Sequence, residues 1–141
     1  MTLSSLDLSV AKQEAQRCKR TFRNILIVGI AYHMLLSLIL LLVPNDLITA
    51  LLHLPLSGTN IVALSGLLLL LTALYRATGA YNVFRWRWPN VIAIIQHLLL
   101  ACGLVLSAGR LPILGLIELA LAAITALLFM NYVKAEIMSR P

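Results

Sequence analysis

Six side chains that could do chemistry lie within long apolar stretches of this sequence: Tyr32, His33, Arg76, Gln96, His97 and Glu118. Such groups are expensive to strip of water, so each is there either to bond a neighbour or to meet a ligand. Two imidazoles and a carboxylate admit several chemistries. They can hydrogen-bond one another and fix the register of their helices, with Glu118 accepting from His33 or Gln96. Glu118 and His33 can serve as stepping groups of a proton or ion relay. His33 and His97 can ligate a b-type haem, with the small Gly29 and Ala101 nearby. His33 or Tyr32 can also serve the carbonyl of a quinone or lipid held in an apolar cleft. The sequence has no Ser, His and Asp set, zinc-ligand spacing, phosphate loop or paired carboxylates. No catalytic residue is therefore assigned, and no metal beyond a haem iron.

Helices must position these groups. Residues 1–23 are a basic lead-in in which Leu8, Ala11, Ala15, Cys18 and Phe22 recur at helical spacing and Asp7 or Ser9 can cap. This predicts a short amphipathic helix, held at the headgroups by Arg17, Lys19, Arg20 and Arg23. A first span over about residues 25–43 nearly matches the ~30 Å apolar core of a bilayer at 1.5 Å per residue. Pro44, Asn45 and Asp46 end it, and the segment LITALLHL around His53 is too short to cross, so it is expected as an outer interfacial helix capping the bundle. Further spans are expected at about 60–80, 91–107 and 111–133. Arg76 lies close enough to the end of the second to snorkel. The connection that follows carries Arg85, Trp86, Arg87 and Trp88 as headgroup anchors, with Pro89 opening the third span.

The company each polar residue keeps indicates its direction. His33 shares a helix face with Gly29 and Ser37, and Glu118 with Gly115, Ala122 and Thr125. His97 lies with Ala93 and Ala101, Gln96 with Gly103 and Ser107, and Arg76 with Ser65, Thr72 and Gly79. Small and polar residues mark helix contacts in membranes, whereas Leu and Ile face lipid. A bundle that joins these stripes gathers a His, Gln, Glu and Arg cluster. Counted along the helices, His33 is near the midplane, while His97 and Glu118 are each roughly 10 Å from opposite boundaries.

Composition agrees with this layout. The 141 residues suffice for one domain, 61% are hydrophobic and only 11% charged, and the mean hydropathy is +0.96. That is the profile of an all-α membrane protein, a bundle of four transmembrane helices. The net charge of +6 comes without any nucleic-acid signature, so anionic lipid headgroups are the expected partner. Cys18 and Cys102 fall at different depths and are not expected to pair. More than twenty mostly polar residues precede the first apolar run, which therefore reads as a retained span and not a signal peptide. Ten of the eleven Lys and Arg residues fall on one side of the layout, with Arg110 on the other. Both termini are accordingly expected in the cytoplasm, and the compact multi-span form suggests a bacterial inner membrane.

The order of parts resembles the DoxX-like group of small four-helix bacterial membrane proteins. The resemblance covers about residues 25–133: a first span closed by Pro44, a short outer helix ending near Leu54 and Pro55, a Gly-containing second span running into Tyr75, and a basic aromatic loop before the third. It implies a link to quinone-dependent oxidoreductases or a role as their accessory subunit, and it carries over no catalytic residue. The expected function is thus a non-catalytic structural or accessory subunit of a larger membrane assembly, or a homo-oligomer. The alternative is a quinone-, lipid- or haem-binding redox protein that uses the buried cluster.

Overall fold

The structure, a computed structural model, describes residues 5–52, 59–83, 85, 87–106 and 111–140. Its elements are α1 (Ser5–Leu42), α2 (Asn45–Leu52), α3 (Thr59–Tyr81), α4 (Arg87–Val105) and α5 (Leu111–Met138). All but α2 are long and apolar enough to cross a membrane. The chain is an all-α, four-span bundle whose spans alternate in direction. His53, Trp86, Ser107 and Arg110 lie outside the described residues.

The polarity of the bundle is that of a protein dissolved in lipid. Leu35, Leu68, Leu99, Ile113 and Leu127 are exposed, whereas His33, Ser37, Arg76, Asn90, His97, Glu118 and Thr125 are buried. Alanines at 73, 93, 101 and 122 are buried as well and let the backbones approach closely. Helix order around the bundle is α1, α3, α4, α5: α4 packs extensively on α5, and α1 on both α3 and α5, while α3 and α4 touch far less.

The lead-in departs from expectation. It is helical but not a separate interfacial piece: α1 runs unbroken through residue 23 into the span. Neither Gly nor Pro occurs between residues 11 and 28 to break it. The inward stripe of Ala15, Phe22, Leu26, Gly29, His33 and Ser37 is also continuous across the boundary. Phe22 packs between Phe129 and Tyr132 of α5, with ring centroids 5.3 and 6.1 Å away. At 38 residues α1 is about 57 Å long, so its first turns extend beyond the apolar slab beside α5, which at 28 residues is about 42 Å long and also exceeds it. At the other end α1 stops before Pro44, and α2 starts with its Leu47 and Ile48 amides bonded to the Pro44 carbonyl.

The helix α4 starts at Arg87, so Pro89 falls inside the first turn, where its missing amide hydrogen costs no helical bond. Arg85, Arg87 and Trp88 are exposed at this end of the bundle. Asn90 donates to the Val83 carbonyl at 3.3 Å. Gly79 permits this approach, since a Cβ there would collide with the Asn90 side chain. Near the opposite end Gly115 does the same for α4 and α5, where a Cβ would lie 2.8 Å from the Val105 amide nitrogen.

Candidate functional site

Each of the four spans sends one ionisable side chain to the bundle axis: His33 from α1, Arg76 from α3, His97 from α4 and Glu118 from α5. All four are at most 1% exposed. They close a ring that follows the order of the helices. His33 Nε2 is 2.9 Å from Glu118 Oε1, His33 Nδ1 is 2.7 Å from Arg76 Nη1, Arg76 Nη2 is 2.8 Å from His97 Nε2, and His97 Nδ1 is 2.5 Å from Glu118 Oε2.

The proton positions follow from what each group can do. A guanidinium only donates and a carboxylate only accepts. The nitrogens facing Arg76, His33 Nδ1 and His97 Nε2, must therefore carry lone pairs. Those facing Glu118, His33 Nε2 and His97 Nδ1, must carry the protons. Both imidazoles are neutral, in opposite tautomers, and the ring as a whole holds one positive and one negative charge. Net neutrality and complete pairing at the two histidines make such a polar ring tolerable at membrane depth. Gly29 leaves space for it, because a Cβ there would lie 2.8 Å from Arg76 Nη2.

Placement of the other sequence candidates differs. Gln96 is not in the ring: its amide nitrogen donates to Thr72 Oγ1 at 2.8 Å, and Glu118 takes its bonds from the two histidines instead. The Tyr32 ring lies 5.4 Å from that of His33, and its hydroxyl is buried without a partner among the described residues. Arg76 does not snorkel, since its guanidinium is held by two imidazoles. Of the stripe expected from Gln96, Gly103 and Ser107, Gln96 meets α3 through Thr72, Gly103 is exposed and a Cβ there would have no atom within 4 Å, and Ser107 lies outside the described residues. Thr72, which anchors Gln96, and Asn90 are the participants that residue chemistry alone underrated. Their helical spacing from Arg76 and His97 was the available signal.

Haem does not fit between the histidines. Their ring centroids are 4.9 Å apart, and all four ring nitrogens already have partners. Nor does the donor set suit a metal ion, although ligand atoms of His33, His97 and Glu118 lie within 4.8 Å of one another. A metal-bound imidazole carries its proton on the other nitrogen and donates from it. Here those other nitrogens face Arg76, which can only donate.

Where α3 and α4 diverge, on the side of the ring away from the chain termini, a cleft of about 630 Å³ opens. Its walls are leucines and isoleucines, among them Leu36, Leu69, Leu100 and Leu114, and its polar lining is Ser65, Thr72, Gln96 and Glu118. Comparisons with family models, curated proteins and solved structures give no match.

Proposed function

We propose that this integral membrane protein holds a long-chain amphiphile of the quinone or lipid class in the cleft between α3 and α4. The observation that carries the reading is a cleft walled by apolar side chains with Glu118 and Gln96 in its lining. Its volume lies within the roughly 300–1,000 Å³ of small-molecule sites. A head group can reach the polar residues while a tail runs out among the exposed leucines into lipid. His33 has no part in direct contact, because both of its ring nitrogens are engaged by Glu118 and Arg76.

The reading includes a cytoplasmic position for both termini in a bacterial inner membrane. Lys12, Arg17, Lys19, Arg20, Arg23, Arg85, Arg87, Lys134 and Arg140 are exposed at the terminal end of the bundle, where anionic headgroups attract them. The resemblance of the layout to DoxX-like proteins supports a quinone-linked role.

The test is to identify what the protein retains. Gently purified protein should carry one kind of long-chain amphiphile enriched over bulk lipid, and Leu100→Trp, which fills the cleft from α4, should lose it while unfolding at a similar temperature. If only bulk lipid is retained and the protein comes away with a large membrane partner, the reading fails. The accessory-subunit role, favoured by the short connections between spans, then takes its place.

A further inference from the structure

The hydrogen bonds of Thr72 and Gln96 fix which atoms the cleft presents as acceptors. The Thr72 hydroxyl donates to the Leu69 carbonyl at 3.0 Å, so its oxygen can only accept from Gln96. That assigns the amide: the nitrogen of Gln96 faces Thr72 at 2.8 Å, and its carbonyl oxygen faces away. This oxygen is buried and has no partner among the described residues. Glu118 takes one imidazole N–H on each oxygen and keeps a lone pair on each. Two buried donors nearby without partners among the described residues, Arg76 Nε and the Tyr32 hydroxyl, belong to residues that do not line the cleft. Ser65 is exposed two helical turns from Thr72.

Resting on the reading above, we propose that the cleft selects a ligand whose head donates hydrogen bonds: a hydroxyl on an apolar body, as in a hydroquinone or a long-chain alcohol. A quinone or an ether of the same shape offers only acceptors to a wall whose donors are the second N–H of Gln96 and the Ser65 hydroxyl, and whose acceptors include a carboxylate. It leaves the Gln96 oxygen unpaired and sets its own oxygens against a carboxylate. One buried unmet hydrogen bond weakens binding by about tenfold or more.

The experiment is competition in lipid nanodiscs against a long-chain alcohol bearing a photoreactive diazirine, with cross-linked residues mapped by mass spectrometry. Two matched pairs compete: decyl-hydroquinone, kept reduced under anaerobic conditions, against decyl-quinone, and hexadecanol against its methyl ether. Labels should map to cleft residues such as Leu69 and Leu100. The hydroxyl member should displace the probe at a concentration about tenfold or more below that of its partner, and Gln96→Met should reduce that ratio, Glu118 remaining as an acceptor, without abolishing labelling. Preference in one pair alone supports the proposal and names the source of the hydroxyl. Equal displacement within both pairs, with labels still in the cleft, overturns donor selection and leaves the ligand reading standing. No label in the cleft overturns both. The unaltered protein alone distinguishes these results, so they stand even if Gln96→Met does not assemble.

Discussion

At the scale of single residues, the ring makes Glu118 less replaceable than its shape suggests. Gln at 118 keeps the outline but turns one acceptor into a donor. It sets an N–H against an imidazole N–H, and the flipped tautomer that would relieve this sets the opposite N–H against Arg76. It also leaves the guanidinium without its counter-charge. Removing one partner of a buried ion pair costs about 3–5 kcal/mol, so Glu118→Gln should lower thermal stability in mild detergent on that scale. Arg76→Gln should do likewise, and the double variant should recover part of the loss because no lone charge remains. Additive losses would show that Arg76 and Glu118 are not coupled through the histidines. The membership of the ring was largely legible, since small residues flank His33, His97 and Glu118 at helical spacing. Its connectivity was not. Depth counting set His97 and Glu118 in one central slab but not in one plane, each roughly 10 Å from opposite boundaries, because it took straight, untilted spans with ends read from the sequence. Arg76 read equally as a snorkelling residue until His33 and His97 were seen to face it.

At the scale of elements, the continuity of α1 has a direct test. A proline removes one helical bond and clashes with the preceding turn, at a cost of about 3 kcal/mol or more inside a helix. Arg20 is exposed, so Arg20→Pro disturbs little except the backbone. In an unbroken α1 it should lower the unfolding temperature and loosen the packing of Phe22 on Phe129 and Tyr132. At a hinge between two helices it would be harmless, and a neutral result would restore the separate interfacial helix. The amphipathic spacing of Ala15 and Phe22 was readable. Their partner was not, because a face suited to the surface of a membrane is equally suited to another helix. Only the opposing Phe129, Tyr132 and Ala135 on α5 decide between the two. The shallow contact of α3 with α4 was similarly hidden, since Leu-rich stretches such as residues 67–71 look alike whether they meet lipid or line a cleft.

At the scale of the molecule, four alternating spans leave the α1–α2 junction and the α3–α4 junction on opposite faces of the bilayer. With Cys18 and Cys102 replaced, Pro44→Cys and Arg85→Cys, both at exposed positions, should be labelled by an impermeant maleimide from opposite sides. With the termini inside, Arg85→Cys should react only after the cytoplasmic face is opened. Labelling of both from one side would contradict the four-span arrangement. The ring also bears on how the protein is made. Each span emerging from the ribosome carries one member of the set, and none can satisfy that member alone: Arg76 waits for His97, and both histidines wait for Glu118, the last to be synthesised. A chain stalled before α5 presents an unbalanced cation to lipid or to the insertion machinery. Completion of the bundle is therefore marked by the disappearance of an exposed charge, a signal that membrane chaperones and proteases can use to tell finished molecules from unfinished ones.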